Sequence, residues 1–256
     1  MTDKEAIIAR FRSHVRGKAF DPTGYNTGHD GKEGHWLEVQ MGLTPNGNNR
    51  PDLLGFEMKN QTSSGKTTFG DWSPDLNLWG RNTSDPSVGR LIRDTQFLPY
   101  FGTPNPLKNN RISWSGSVVP KIGNYNNYGQ KLIITSSDDI QAVYSFEDDK
   151  RENKYEIIPE DLQRYVVLGQ WTRDIIKEKL ERKFNDQGWF KCLKDSNGIY
   201  NEIVFGLPIN YDSWLNLVKD GIVYFDCGMY QNNPRPYAQW RANNDYWDSL
   251  ITERYQ

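Results

Sequence analysis

Apolar residues recur at two spacings along this chain, and the changes between them mark out its elements. Ile7, Ile8, Phe11 and Val15 stand at helical spacing over residues 3–16, with basic residues between them. A second, short helix is predicted over 34–41, where Leu37 and Met41 lie one turn apart with Glu38 beside them. The turn-forming cluster Pro45-Asn46-Gly47-Asn48-Asn49 then leads into a strand-like run ending at Lys59. Residues 88–101 begin a helix or a strand. The middle reads as strand-rich between Asn/Gly turns, with candidates at 112–119, 132–136, 140–146 and 155–158. The clearest helix occupies 160–187 in two pieces, the second (172–184) turning Ile175, Ile176, Leu180 and Phe184 to one side. A strand pair at 189–194 and 202–207 flanks Asp195-Ser196-Asn197-Gly198. A helix at 212–219, a strand at 222–226 and a terminal helix at 245–254 complete the pattern.

No internal repeat or linker-like stretch interrupts this order. The expectation is one mixed α/β (α+β) domain over residues 1–256, a mixed sheet flanked by helices with the strand at 53–59 in its centre. Hydrophobic residues at 36% and charged residues at 25% fit a soluble globular protein, and no run of about 18 apolar residues exists to span a membrane. The polar start, Met1-Thr2-Asp3-Lys4-Glu5, carries no signal-peptide pattern, so a cytoplasmic protein is expected. Cys192 and Cys227 sit among apolar residues and read as buried free thiols; His14, His29 and His35 give no zinc pattern. A net charge of −2 argues against coating nucleic acid through bulk charge, yet leaves room for a basic cleft balanced by acids elsewhere. Several of the nine tryptophans lie beside Asn, Gly and Arg, where stacking or wedge roles are open to them.

The strand-like run carries the chemistry. Asp52, Glu57 and Lys59 stand in the spacing D-x4-E-x-K. Glu57 and Lys59, two apart on a strand, project to one side while Phe56 and Met58 face the core. Asp52 lies at an odd offset from Glu57, so it joins them only if residues 51–55 turn the chain, and Gly55 is the residue to permit that. Two carboxylates suffice for Mg2+, which keeps several waters and takes substrate phosphate as a further ligand. Lys59 would then orient a water and screen developing charge, the equipment for cutting a phosphodiester. The bare pattern also suits an exposed strand edge with a Glu–Lys pair.

Glu38 lies fourteen residues before Asp52 and extends the pattern to E-x13-D-x4-E-x-K. With it, the sequence resembles the MutH-like branch of the PD-(D/E)xK nucleases, and within that branch the MvaI/BcnI-type restriction endonucleases. Asn26-Thr27-Gly28 and Gly34-x-x-x-Glu38 are similar to that family's N-T-G and G-x-x-x-E elements, and the likeness is strongest over residues 24–60. The resemblance implies Asp52 and Glu57 as metal ligands, Lys59 positioning the water and Glu38 as a supporting acid. It implies a catalytic lobe centred on residues 1–100 and a recognition lobe drawn from about 105–256, set around a DNA cleft. Phe225-Asp226-Cys227-Gly228-Met229-Tyr230 with trailing arginines is similar to the family's C-terminal segment, although the histidines that such relatives place near the central base pair have no counterpart in the late half of this chain.

Reading bases needs Arg for guanine and Asn or Gln for adenine. The segment 229–244 is dense in these types, reads as a proline-stiffened loop, and offers Arg235, Gln239 and Arg241 as DNA contacts. A surface loop covering the core is the plainer alternative. Residues 121–130 form a polar aromatic loop that is a second candidate to enter a groove, with an ordinary hairpin tip as the favoured reading, and Arg81, Arg90 and Arg93 are weak phosphate candidates. Lys177, Lys179, Arg182 and Lys183, interleaved with Glu178 and Glu181, read as a solvated helix face. The expected function is a Mg2+-dependent type II restriction endonuclease acting as a monomer on double-stranded DNA, with a cognate DNA methyltransferase as genetic partner. A MutH-like nicking enzyme and a non-catalytic DNA- or sugar-binding module are the alternatives.

Overall fold

The structure is a computed structural model that describes residues 1–25, 31–43, 49–60, 64–80, 83 and 85–256. The Asn26-Thr27-Gly28 element, His29 and Arg81 lie outside the described residues. The helices are α1 (Asp3–His14), α2 (Lys32–Gln40), α3 (Pro86–Ile92), α4 (Leu98–Phe101), α5 (Lys154–Ile157), α6 (Arg173–Phe184), α7 (Tyr211–Lys219) and α8 (Asn244–Ser249). The strands are β1 (Phe56–Lys59), β2 (Lys66–Asp71), β3 (Leu76–Asn77), β4 (Thr103–Asn105), β5 (Arg111–Trp114), β6 (Tyr128–Ile134), β7 (Ile140–Asp149), β8 (Tyr165–Trp171), β9 (Gly188–Lys194), β10 (Tyr200–Gly206), β11 (Tyr224–Tyr230), β12 (Tyr237–Asn243) and β13 (Ile251–Tyr255). Among the described residues no helix is long and apolar enough to cross a membrane.

The chain divides into two compact units, each drawn from separated segments. One comprises Met1–Thr67, Lys179–Ser213 and Asn243–Gln256; the other comprises Thr68–Glu178 and Trp214–Ala242. This division is interleaved, unlike a single cut near residue 100.

In the first unit a four-stranded sheet runs β1-β9-β10-β13. β1 pairs with β9 in parallel, β9 with β10 and β10 with β13 antiparallel. The motif strand is therefore at the sheet's edge and not at its centre. α1 begins at a capping box in which the Thr2 hydroxyl accepts from Glu5 N at 3.2 Å and the Glu5 carboxylate accepts from Thr2 N at 2.8 Å. Its Ile7, Ile8, Phe11 and the following Val15 pack with Trp36 and Leu37 of α2 against Phe56, Met58, Phe190 and Cys192 on one side of the sheet.

The second unit holds a five-stranded sheet, β2-β12-β11-β5-β4, and a four-stranded sheet, β3-β8-β7-β6. Its core is aromatic: Phe225 lies 4.9 Å from Trp171 and 5.5 Å from Trp240, and Trp240 lies 5.3 Å from Trp214. Trp114, Trp171, Trp214 and Trp240 of this unit are fully buried, as are Trp189 and Trp247 of the first. These tryptophans form core and are not loop-borne stacking groups. Both cysteines are free and buried.

Several elements differ from the sequence reading. Residues 165–171 form β8 where a helix was expected, 154–157 form a helical turn where a strand was expected, and the terminal helix stops at Ser249 before β13. Residues 165–171 are a short apolar run that length and periodicity do not assign, and pairing with β7 makes it a strand.

Candidate active site

The turn that the motif requires is present. Leu53 and Phe56 exchange backbone hydrogen bonds at 3.0 and 2.9 Å, and the two residues between them, Leu54 (φ 49°) and Gly55 (φ 80°), both adopt the left-handed region. Two consecutive positive φ values define the tight hairpin turn whose twist matches flanking strands. Gly55 has a second reason to be glycine, because a Cβ there would meet the Asp186 carboxylate at 2.5 Å. The hairpin lays Asp52 along the open edge of β1, where its Oδ2 accepts from Met58 N at 3.0 Å. The edge position of β1 thus leaves the backbone donor that Asp52 takes.

Along β1 all four side chains are buried, alternating in direction. Phe56 and Met58 enter the core with α1 and α2, while Glu57 and Lys59 point the other way. Lys59 Nζ lies 4.9 Å from the Phe184 ring centroid and 5.9 Å from that of Trp247. Glu57 is 2% exposed and Lys59 7%. Glu57 Oε1 receives Lys59 Nζ at 2.8 Å and also Lys183 Nζ, from the last turn of α6, at 3.0 Å. Glu57 Oε2 is buried with no hydrogen-bond partner. Burial pushes the Asp52 carboxyl up to about 7, reinforced by the negative charge of Glu57 and opposed by Lys59 and the Met58 amide. Burial likewise pulls the Lys59 ammonium down, against the pull of Glu57. Glu38, half-buried on α2, is raised by burial first; its field also includes His35, Glu57, Lys183 and Lys59, which places it in the same electrostatic neighbourhood.

Glu38, Asp52, Glu57 and Lys59 are thus brought together. Lys183 is the residue that sequence reading missed: it does not lie on a solvated face, since its side chain is only 19% exposed and turns onto Glu57. Its position one residue before the buried Phe184 is the only hint in the sequence. Among the described residues no three His, Cys, Asp or Glu side chains converge as a ready metal cage. Two carboxylates, one with a buried oxygen lacking any partner, still suit a hard cation that fills its remaining positions with water and phosphate.

The proposed DNA contacts fall elsewhere, in the second unit. Residues 237–243 are strand β12 and not a loop, because Ala238, Trp240 and Ala242 alternate inward while Tyr237, Gln239 and Arg241 alternate outward. Arg241 donates through Nε to Gln239 Oε1 at 2.8 Å and lies 3.3 Å from Asp226 on the neighbouring β11. Arg235 is exposed in the β11–β12 connection, its backbone N bonded to Asn233 Oδ1 at 3.0 Å. Arg93 is no phosphate contact: it is buried and forked onto Asp94 at 2.8 and 3.1 Å.

An edge-strand hairpin thus gathers two carboxylates and a buried lysine in a mixed α/β chain with three sheets, and its relatives place that chain in the restriction-endonuclease class. A model of the LlaMI restriction endonuclease family matches residues 15–255. The chain is 47% identical to the type II restriction enzyme ScrFI of Lactococcus lactis subsp. cremoris, over 272 aligned positions covering 99% of both chains. The chain belongs to the LlaMI restriction endonuclease family and is a type II restriction endonuclease. Its fold is similar to that of restriction endonuclease MvaI in complex with its cognate DNA substrate, with a TM-score of 0.58 at 14% identity, covering 98% of this chain and 95% of the other.

Proposed function

We propose that the chain hydrolyses both strands of double-stranded DNA at a short specific site, with Asp52 and Glu57 holding Mg2+. The observation that carries this is the asymmetry of Glu57: Oε1 holds two ammonium groups while the buried Oε2 has no hydrogen-bond partner, an acceptor of the kind a hard cation takes. Bound there, the cation supplies water activation and charge neutralisation. Lys59, fixed by Glu57 and the Phe184 and Trp247 rings, orients the attacking water and faces the charge that grows on the phosphate. Burial pulls its ammonium pKa down, so Nζ gives up a proton more readily than an exposed lysine does. Glu38 is a supporting acid. Arg235, Gln239 and Arg241 contact the DNA, the last two from one strand face whose alternation presents them side by side. The enzyme acts as a monomer alongside a cognate DNA methyltransferase that protects the same site.

The test is digestion of unmethylated plasmid and phage DNA with Mg2+, with EDTA and Lys59→Ala as controls. Discrete fragments that vanish in both controls are the expected result. Nicked circles alone would point to a strand-nicking enzyme. Intact DNA from folded protein across Mg2+ and Mn2+ concentrations would overturn the metal-dependent reading.

A further inference from the structure

We propose that Arg111 is a base-reading residue whose guanidinium, stacked on Tyr230, takes the O6/N7 edge of one guanine in duplex DNA. This rests on the nuclease reading above and extends it to the far end of the five-stranded sheet.

The register places Arg111 on the outward polar face. Tyr230 pairs with Ser113, and Met229 with Trp114. Asp226 pairs with Gln239 and Tyr224 with Arg241. Trp114, Met229, Cys227, Phe225 and Trp240 are buried on the inner face, so Arg111, Tyr230, Gln239 and Arg241 share the other. The Arg111 Cζ lies 3.5 Å from the Tyr230 ring centroid, a stacked contact. Its Nε is buried without an acceptor, and among the described residues no carboxylate pairs with it. The other buried or half-buried arginines described in this unit are each paired with a carboxylate: Arg93 with Asp94, Arg151 with Asp149, Arg173 with Asp174 and Arg241 with Asp226. Among the described residues Arg111 is compensated only by a ring face, which fixes its plane and leaves its donor edge unmatched.

A planar fork with no acceptor and a locked plane is what bidentate recognition of guanine uses. The support is rigid. Asn105 Oδ1 accepts from Leu107 N at 3.1 Å, and Asn109 and Asn110 hold φ of 53° and 55° just before Arg111. Behind it, Gln231 clamps Ile112, accepting from Ile112 N through Oε1 and donating its own N to Ile112 O, both at 3.1 Å. Pre-ordering of this kind removes much of the entropy cost of docking an arginine.

Wild-type digestion maps the site, and short duplexes carrying it then receive 7-deazaguanine, which lacks the N7 acceptor, at one guanine at a time. Cleavage with Mg2+ and binding without metal are both measured. One substitution is expected to weaken the wild type on the order of 10-fold or more. Arg111→Met is expected to show that same loss on the natural duplex and no further loss on the modified one. Arg111→Lys, which keeps the cation over Tyr230 but lacks the fork, should behave like the methionine variant. Equal weakening on every duplex, with the salt slope reduced by about one, would overturn the proposal in favour of a phosphate contact. A lowered melting temperature with unchanged binding and cleavage would reduce Arg111 to a stabilising stack. Discrete wild-type fragments without this coupling overturn the assignment of Arg111 alone; a wild type that neither binds nor cuts DNA overturns it together with the nuclease reading.

Discussion

Glu57 has two lysines on one oxygen, and their origins differ. Lys59 comes from the same strand, so strand periodicity alone makes its approach predictable from the sequence. Lys183 comes from α6, 124 positions beyond Lys59, and its neighbours Glu178 and Glu181 give it the look of a solvated helix face. No local pattern distinguishes a lysine that turns inward at the last helical turn, so only the tertiary structure reveals it. In the metal-free protein Lys183 supplies part of the positive charge that offsets buried Glu57 and half-buried Asp52. Arg and Lys bonds to charged partners are worth about 1.5–3 kcal/mol each, and the partial exposure of Lys183 favours the lower part of that range. Lys183→Met is therefore expected to destabilise the metal-free protein by about 1–2 kcal/mol. Mg2+ should raise its melting temperature more than that of the wild type, because the cation takes over the missing charge. Equal Mg2+ shifts in the two proteins, read by thermal unfolding with and without the ion, would show that Lys183 carries no share of that compensation.

Elements that make few non-local demands were legible, and those set by a partner strand were not. α1, α7 and the β9–β10 hairpin follow their own periodicity, and the 51–55 turn follows from the odd offset of Asp52. β8 was hidden because Tyr165–Trp171 is an apolar run that leads straight into α6. β12 did carry a period-two pattern, but the Gln, Asn and Pro residues of 231–236 just before it suggested a loop. The hairpin turn before β1 also invites improvement. Leu54 holds φ 49° while 47% exposed, a conformation for which asparagine is far better suited. Leu54→Asn should raise stability by about 1 kcal/mol with cleavage retained, as denaturant unfolding would report. At the end of β7, Asp149 is buried and forked by Arg151, whose Nη2 lies 2.6 Å away, and accepts from the Tyr144 hydroxyl at 2.9 Å. Burial raises its pKa, but the Arg151 bonds and charge outweigh this and hold it below the usual carboxylate value. A depressed folded pKa contributes stability that is present above the unfolded value of about 3.9 and lost as pH falls through the folded one. Asp149→Asn should thus cost about 3–5 kcal/mol at pH 7, with the gap to wild type closing in acid below about pH 4. A gap independent of pH would mean that the charge on Asp149 is not what Arg151 holds.

At the scale of the whole molecule, the unit that carries the candidate catalytic cluster is assembled from three separated segments. β1 hydrogen-bonds in parallel to β9, more than 120 residues later, so the motif strand has no sheet until the second half of the chain is made. Periodicity cannot reveal this, because it reports which face of an element is buried and not which element covers it. The C-terminal strand closes the same sheet: β13 pairs with β10, Glu253 receives Lys4 at 2.6 Å, and the Gln256 carbonyl accepts from Arg12 at 2.8 Å. Residues 1–100, which the sequence suggests as a catalytic lobe, would therefore retain α1, α2 and β1 without β9, β10 or β13. Their core would lose Phe190, Cys192, Tyr200, Ile203 and Phe205, five of the buried residues that α1 and α2 pack against. A fragment of that length with much of its apolar surface uncovered does not repay its chain entropy. The expected outcome is a collapsed amide spectrum for residues 1–100 expressed alone, while the full chain gives dispersed signals. A dispersed spectrum from the fragment would mean that the site folds without its later strands, and the interleaved division would then not be a unit of stability.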